Sequence, residues 1–255
     1  EGYITMQVNR NTSLVAGRMI VPFGDFSSNM VSDPLTLELG ETSETVLMAA
    51  MESGKVSGSV YTFNGDVDED AEITDGDNAA LSFGANIAFA NDNLSLGASY
   101  ISNIAETGAL EGEGTSVDAS VAGMGVSFGY TMGNFSVIAE HVTAAEGFKN
   151  GDLGVDDDDD PTTAKVNTIA NEEKPRATNV EVAFALKGGA TLAAAYQVSS
   201  ETAFLGLPKY VTSVAYSFEP MKDVAMGLEY ASMEDFSVNG SETGSAITAQ
   251  LAVEF

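Results

Sequence analysis

The sequence predicts an all-β protein, a transmembrane antiparallel up-and-down β-barrel of the bacterial outer-membrane type. Two observations predict it: apolar and polar residues alternate along many short segments, and short turns alternate with long connections. The last segment shows the alternation, with apolar residues at Ile247, Ala249, Leu251, Val253 and Phe255. Such alternation is typical of a strand, because successive side chains point to opposite faces.

Thirteen segments carry this alternation, and most are close to the about 9–11 residues that cross a bilayer at a tilt. They cover residues 2–9, 13–21, 44–52, 55–64, 79–90, 93–104, 119–131, 134–144, 178–187, 190–200, 209–218, 223–234 and 244–255. Single-chain bacterial barrels have even strand numbers. We therefore expect about 14 strands (range about 12–16) in a single outer-membrane barrel domain over residues 1–255, with an upstream strand or N-terminal segment missing from this chain.

The connections between these segments fall into two alternating classes. Short turns, which we expect on the periplasmic side, lie at 10–11, 53–54, 91–92, 133–134, 188–189 and 219–222. Longer connections, which we expect to be extracellular, lie at 22–43, 65–78, 105–118, 145–177, 201–208 and 235–243. This alternation is typical of outer-membrane barrels. All six prolines fall within the predicted connections, which suits strands that need every ladder hydrogen bond.

Composition excludes several classes of protein. The mean hydropathy is +0.04 and no run of about 20 apolar residues exists, which excludes a helical membrane protein. The absence of cysteine excludes disulfides and thiolate metal sites. Ten Lys and Arg against 38 Asp and Glu make nucleic-acid binding improbable. A soluble acidic domain is the alternative, and the number and length of the alternating segments favour the membrane barrel.

Catalytic chemistry finds little support in the sequence. The single histidine, His141, follows Glu140 on a predicted strand, where adjacent side chains point to opposite faces. A Ser-His-acid site would need a serine and a carboxylate that converge on His141, and no motif points to one. We therefore predict that the protein is not an enzyme.

Three long connections are strongly acidic. Residues 65–78, 105–118 and 145–177 hold 20 of the 38 Asp and Glu. Such blocks of like charge stay solvated, and they can also concentrate cations at a pore mouth. Weak Ca²⁺ binding is a third reading, with candidate ligands Asp66, Asp68, Asp70, Asp156 and Asp158, although Ala71 stands where a calcium loop needs glycine. No other cofactor is predicted.

The first long connection, loop 21–42, is unusually apolar for an exposed segment, and we expect it to fold into the barrel lumen as a constriction. The alternative is that it packs on the barrel rim or on a neighbouring subunit. Its candidate constriction residues are Phe23, Asp25, Phe26, Asp33, Glu38 and Glu41. Candidate pore-lining residues on the strands are Arg18, Glu140, Glu181, Lys187, Gln197, Glu229, Gln250 and Glu254. For Arg18, a salt bridge across the barrel wall is the alternative.

Part of the chain resembles a known family. The motifs are Val21-Pro22-Phe23-Gly24, the run at 31–42 and the segment at 58–66. They cover about the first quarter of the sequence, and they resemble the LbtU-type siderophore porins of Gram-negative bacteria. The resemblance implies an outer-membrane barrel associated with ferric-siderophore uptake.

These observations predict an outer-membrane porin or siderophore-type transporter that passes small solutes through a lumen narrowed by loop 21–42. The small Gly, Ala and Ser side chains of the polar face favour an open lumen. A non-conducting structural, adhesin or lattice-forming barrel is the alternative. The expected partners are outer-membrane lipid and lipopolysaccharide, a small solute or ferric siderophore, and further copies of the chain in a homo-oligomer such as a trimer.

Overall fold

The computed structural model describes residues 2–68, 79–110, 116–117, 120–149, 153–155, 166–167, 172–236 and 242–253. Thirteen long strands form one sheet in which each long strand pairs with the next one along the chain, and every neighbouring pair is antiparallel. The predicted all-β antiparallel up-and-down architecture is therefore confirmed.

The long strands are β1 Gly2–Asn9, β2 Thr12–Ile20, β3 Ser43–Ser53, β4 Val56–Asp68, β5 Ala79–Ala90, β6 Leu94–Ile101, β8 Gly123–Met132, β9 Phe135–Ala144, β12 Arg176–Ala185, β13 Thr191–Ser200, β14 Tyr210–Met221, β15 Val224–Glu234 and β16 Thr243–Val253. Three short strands pair off this path: β7 Ser116–Val117, β10 Leu153–Val155 and β11 Val166–Asn167. One α-helix, α1 Leu35–Gly40, and two 3-10 turns, Ile104–Glu106 and Ala203–Leu205, complete the elements of the described residues. None of the helices in the described ranges is long and apolar enough to span a membrane.

Some predicted boundaries are wrong. Strand β4 continues to Asp68, so the predicted connection 65–78 begins inside a strand. Strand β6 ends at Ile101 and the chain then makes the 3-10 turn at 104–106, which shortens the predicted strand 93–104. In both places the tertiary packing of a connection on the sheet overrides the local alternation.

Pro220 corrects the prediction that every proline lies in a connection, because it falls within β14. The register between β14 and β15 shifts between Phe218 and Met221, so Pro220 lies in an irregularity of the ladder. A proline has no N–H to donate, and such an irregularity is where a strand tolerates one. The predicted turn 219–222 moves accordingly to Lys222 and Asp223, where Asp223 has a φ of 63°.

The two faces of the sheet differ in the way that the alternation predicts. On β12, Val180, Val182 and Phe184 are 40%, 41% and 48% exposed, whereas Glu181 between them is 0% exposed. The face with exposed apolar side chains is called the outer face below, and the other the inner face. An apolar surface of this extent, repeated on strand after strand, suits contact with lipid.

The reach of loop 21–42 shows that the sheet curves around its inner face. A Cβ at Gly40 would lie 3.4 Å from Val142 Cγ1 on β9, yet Gly40 precedes Ser43 at the start of β3 by only three residues. Three residues span at most about 11 Å. In a flat sheet, the five spacings from β3 to β9 would separate these strands by about 24 Å.

The outermost strands of the path, β1 and β16, form its two edges. In the part of the chain that the structure describes, β1 pairs only with β2, and β16 pairs only with β15. All residues of β1 are exposed, and all but one of β16. Because thirteen strands alternate in direction, β1 and β16 run the same way. The predicted even strand number is not reached by these thirteen strands alone.

Candidate functional site: a loop bound across the inner face

Loop 21–42 joins β2 to β3 and is closed at its base by a backbone hydrogen bond, in which Val21 N donates to Thr42 O at 2.9 Å. Its second half contains α1, which follows Pro34. Proline has no N–H to leave unpaired, which suits the start of a helix. The helix packs on β9, β12 and β13, so the loop crosses from β2 to the opposite part of the curved sheet.

The underside of the loop is an apolar anchor. Phe23, Leu35 and Leu39 are 0%, 5% and 0% exposed, and they join a buried cluster on the inner face. The other members of that cluster include Val46, Tyr61, Phe63, Ile101, Ile104, Val142 and Phe148. Gly123 gives Phe23 its space, since a Cβ at Gly123 would lie 2.9 Å from Phe23 Cζ. The apolar residues of the loop are thus covered by the sheet interior.

Glu140 on β9 holds the first part of the loop. Its Oε1 accepts a hydrogen bond from Asp25 N at 2.6 Å, and its Oε2 accepts from Phe26 N at 3.1 Å and from Thr36 Oγ1 at 2.8 Å. Phe26 has a φ of 55°, a left-handed conformation that aims two successive amides at one carboxylate. Three donors of the loop converge on the two oxygens of this one side chain, so Glu140 fixes the loop to β9.

Two further glutamates repeat the arrangement. Glu181 on β12 accepts hydrogen bonds from Ser28 Oγ at 2.6 Å and from Asn29 N at 2.7 Å. Glu229 on β15 accepts at Oε2 from Val31 N at 2.7 Å and from Ser32 N at 2.8 Å.

The three glutamates occupy successive inner-face positions along the strand direction. Glu140 is opposite Asn179 in the register, and Glu181 is two residues beyond Asn179, so Glu181 lies one inner-face position further along. Followed from strand to strand, Glu229 is level with Ala183 on β12, through Ala215 and Ala193. Ala183 is two residues beyond Glu181, so Glu229 lies one inner-face position further along the sheet. The loop makes a contact about every third residue as it descends. We call Glu140, Glu181 and Glu229 the glutamate ladder.

After its contact with Glu229 on β15, the loop returns towards β13 and β9 through α1. Leu35 N donates to Gln197 Oε1 on β13 at 2.7 Å, and Thr36 returns to Glu140. The inner-face position of Gln197 agrees with its predicted lumen-facing orientation. Backbone amides before and at the start of α1 have no partner within the helix, and these wall side chains accept from them.

The glutamate ladder is held without a cation. The ion pairs found among the described residues are Arg176–Glu201, Lys209–Glu234 and Lys222–Asp223, and none includes a ladder residue. A buried carboxylate is costly unless its charge is compensated, and here donors of the loop bind five of the six carboxyl oxygens, whereas Glu229 Oε1 has no hydrogen-bond partner. Loop and wall therefore depend on one another.

Two cavities lie beside the loop. One, of about 380 Å³, is lined by Gly24 and Asp25 of the loop and by Asn86, Ser95, Ser99 and Ser127 of the wall. The other, of about 310 Å³, reaches the short-turn side and is lined by Gln7, Arg10, Pro22, Met48, Ser59 and Asn86 among others. Asn86 borders both. The segment Pro22–Asp25 thus lies between two polar spaces.

Acidic side chains of the loop that the ladder does not use face open space. Asp25, Asp33 and Glu38 are exposed and Glu41 is half-buried. Partial burial of its carboxyl group first, and then the negative charges of Asp33 and Glu41, raise the pKa of Glu38 above its usual range. Glu38 therefore binds a proton more readily than an ordinary glutamate, and the negative charge of the loop falls as the pH is lowered towards that pKa.

Two predicted strand-borne charges are not on the inner face. Arg18 is exposed on β2, opposite Thr45, in the outer-face row that contains Ala16 and Ile20, so its predicted inward orientation is wrong. The inner row of β2 holds Val15 and Met19 instead, one position out of phase. Lys187 lies beyond the end of β12 in an exposed turn. Its predicted place on a strand is wrong, because the strand stops at Ala185.

The other predicted site residues lie as follows. The ladder residues, Phe23 and Phe26 are on or against the inner face, and their pore-lining role stays a prediction. Gln250 is on the inner row of β16, opposite Gly227, and Glu254 lies outside the described residues. His141 is on the outer row, where its Nδ1 lies 2.8 Å from Thr178 Oγ1.

Most of the calcium-ligand candidates lie outside the residues that the structure describes. Asp70, Asp156 and Asp158 lie outside the described residues, and Asp66 and Asp68 belong to β4 with only their backbone described. Over the described ranges, no cluster of three or more acidic or histidine ligands could hold a metal ion.

Sequence reasoning did not identify Thr36, Ser99 and Asn179 as contributors to the site. Thr36 donates to Glu140, Ser99 Oγ accepts from Gly24 N at 3.0 Å, and Asn179 Nδ2 donates to Glu181 at 2.9 Å. The alternation indicates that Ser99 and Asn179 face inward. What it lacks is any signal for which part of the loop lies opposite them.

The fold is that of known outer-membrane channels. The chain is similar to the outer membrane channel DcaP of Acinetobacter baumannii, with a TM-score of 0.57 and 15% identity, over 95% of this chain and 71% of that one. It is also similar to OccK8 (OprE) of Pseudomonas aeruginosa, with a TM-score of 0.57 and 11% identity, over 98% and 70% of the two chains. Salmonella typhi OmpF, solved in complex with daunomycin, gives a TM-score of 0.55 and 12% identity over 86% and 66%. At such identities the likeness shows a shared porin-type barrel fold.

Proteins related in sequence share about a quarter of the aligned residues with this chain. No family model matches the chain. It is 27% identical over 257 residues to a UPF0422 protein of Legionella pneumophila strain Lens, in an alignment that covers 91% of this chain and 45% of the relative. It is 25% identical over 241 residues to a UPF0422 protein of Coxiella burnetii strain RSA 493, covering 89% and 49%. The chain spans about half the length of the curated relatives it matches.

Proposed function

We propose that this protein is an outer-membrane channel for small solutes and that loop 21–42 is its constriction. The observation that carries the proposal is the glutamate ladder, which fixes an interior loop across the curved sheet and leaves polar cavities on two sides of Pro22–Asp25. A scaffold with a filled interior would not need polar space beside the loop. Reconstitution of the purified protein into planar lipid bilayers tests the proposal, and an absence of single-channel current contradicts it.

The charge of the loop favours cations and neutral solutes over anions. Asp25 borders the larger cavity, and Asp33 and Glu38 add exposed carboxylates on the same loop. Clefts lined by charge of one sign raise the local concentration of the opposite ion.

We expect Asp25→Asn to lower the cation-over-anion permeability ratio. Asp25 is exposed, so the substitution removes charge at the cavity without opening a void. The measurement is the reversal potential in a salt gradient. A reversal potential further from the equilibrium potential of the cation than that of the parent protein supports the assignment. Asp92→Asn, in an exposed short turn between β5 and β6, is the matched control. Equal effects of the two substitutions would place the selectivity elsewhere.

Ferric-siderophore uptake is a more specific version of this proposal. It is supported by the resemblance of Val21-Pro22-Phe23-Gly24 and of the run at 31–42 to siderophore porins. In the structure, both motifs belong to loop 21–42, the proposed constriction. The acidic loop disfavours anionic complexes, so a transported complex would be neutral or cationic. A siderophore that competes with ion current in the bilayer assay would support it.

The location and partners follow from the same proposal. We infer a bacterial outer-membrane protein whose outer face contacts lipid and lipopolysaccharide and which forms a homo-oligomer such as a trimer. The barrel-like neighbours and the exposed apolar outer face support this assignment. A non-conducting adhesin or lattice subunit remains the second candidate, which an absence of current would favour.

We also propose that an odd number of strands beyond the thirteen described ones closes the sheet between β1 and β16. These two edges run in the same direction, so one further strand, or three, would restore antiparallel pairing on both sides. One closing strand gives the 14 predicted from the sequence.

Cysteines placed at Thr5 of β1 and Thr248 of β16 in the intact protein test the closure. Both residues lie on the inner rows of the edge strands. Disulfides need Cα atoms within about 7 Å, so we expect none to form under mild oxidation. A disulfide in high yield would mean that the edges pair directly. Cysteines at Thr5 and Val15, which are register partners, are the positive control.

A further inference from the structure

Serine and glycine alternate across the inner face of β6 and β8. The register pairs Ser95 with Gly129, Gly97 with Ser127 and Ser99 with Gly125. A Cβ at each of these three glycines would clash with the hydroxyl oxygen of the facing serine. Glycine opposite each serine leaves room for the hydroxyl in this orientation, and the result is a shallow groove whose wall presents hydroxyl groups.

The groove lines the cavity of about 380 Å³ beside Asp25. Ser99 is used by the protein itself, because its hydroxyl accepts the hydrogen bond from Gly24 N. The Ser95 and Ser127 hydroxyls make no hydrogen bond with the described residues, and they point into the space that Asn86 borders from β5. Small-molecule sites in proteins commonly have volumes of roughly 300–1,000 Å³. The cavity is large enough for a monosaccharide-sized solute.

An unpartnered buried group adjoins the groove. Asn179 is 1% exposed, and while its Nδ2 donates to Glu181, its Oδ1 has no hydrogen-bond donor. Asn179 lines a smaller cavity of about 40 Å³, which shares Asp25, Ser95 and Ser127 with the larger one. A buried oxygen without a donor is unfavourable. This part of the site therefore calls for a donor from a bound molecule.

The chemistry of the lining selects the molecule. The Asp25 carboxylate and Asn179 Oδ1 only accept hydrogen bonds, whereas serine hydroxyls both donate and accept. No lysine or arginine lines either cavity among the described residues. A ligand that fits has several hydroxyl groups and an ammonium group, and it has no negative charge.

We propose that this groove binds polyhydroxylated amines of the amino-sugar class as they pass loop 21–42. The ammonium group lies at Asp25, and the ring hydroxyls follow Ser127 and Ser95. This inference rests on the proposed channel function and names the substrate class of that channel.

Three sugars of one ring size and different charge test the proposal: glucosamine, glucose and glucuronate. Each is added to the intact protein in a planar bilayer, and its block of the single-channel potassium current is titrated. We expect the affinity to fall in the order glucosamine, glucose, glucuronate. Asp25→Asn should lower the affinity for glucosamine by about threefold to tenfold, since it removes a charge-assisted hydrogen bond. The affinity for glucose should stay unchanged.

The double variant Ser95→Ala with Ser127→Ala should weaken both glucosamine and glucose, again by about threefold to tenfold. Ser217→Ala, on the inner row of β14 and away from the groove, is the matched control and should change neither. Equal block by all three sugars, or block that the double serine variant does not alter, would overturn the amino-sugar site while the channel stands. Absence of channel current in the unmodified protein would instead overturn the channel itself.

Discussion

Replacing the three ladder residues together, as Glu140→Gln, Glu181→Gln and Glu229→Gln, should release loop 21–42 and raise single-channel conductance. At Glu140 both carboxyl oxygens accept from the loop, so a glutamine there turns its NH₂ group towards loop groups that also donate. That mismatch costs about 1–3 kcal/mol. At Glu181 and Glu229 the substitution replaces a carboxylate acceptor of loop amides with a weaker amide acceptor. Every 1.4 kcal/mol corresponds to about a tenfold change in an equilibrium, so the fraction of molecules in which the loop has left the wall should rise by at least about tenfold.

The control for the ladder variant changes the same charge elsewhere. Glu146→Gln, Glu219→Gln and Glu242→Gln alter exposed residues outside the loop that line neither cavity. This variant should keep the conductance of the parent protein. If the ladder variant also keeps it, with the fold intact by circular dichroism, the loop does not narrow the conducting path.

Phe23→Ala should lower the free energy of unfolding by about 3–5 kcal/mol, the usual cost of removing a fully buried aromatic ring. Phe23 is 0% exposed and packs into the cluster that contains Ile101 and Ile104. The substitution leaves a cavity between the loop and the wall, because Gly123 has no side chain to fill it. Denaturant unfolding from lipid vesicles, followed by tyrosine fluorescence since the chain lacks tryptophan, measures the change.

Phe184→Ala provides the comparison for Phe23. Phe184 is 48% exposed on the outer face of β12, so its truncation creates no enclosed cavity. We expect a clearly smaller loss of stability there. Equal losses would mean that the loop contributes no packing beyond that of the lipid-facing surface.

The alternation along each segment was sufficient to predict the strands and their faces. Val180, Val182 and Phe184 lie on one face and Glu181 on the other because a strand admits no other arrangement of successive side chains. The error at Arg18 shows the limit of the rule. In β2, small and apolar residues occupy both rows, so a single charged residue does not reveal which row faces inward.

The apolar residues of loop 21–42 likewise indicate a covered segment, because so much apolar surface is unfavourable in water. The sequence could not show which groups hold the loop. Glu140, Glu181 and Glu229 are 114, 152 and 198 residues away from the loop residues that they bind. Nothing in the spacing of single strands relates these glutamates to one another or to the loop.

By itself, then, the sequence determined the β-strands, the apolar outer face and the presence of one loop that requires burial, because these follow from the period of two and from hydrophobicity. The tertiary structure alone decided how the loop is held and what space it leaves. Bringing the loop that starts at β2 onto β9, β12 and β15 requires the whole sheet to curve. Only that curvature brings three carboxyl groups, the Ser99 hydroxyl and the amides of one loop within hydrogen-bonding distance.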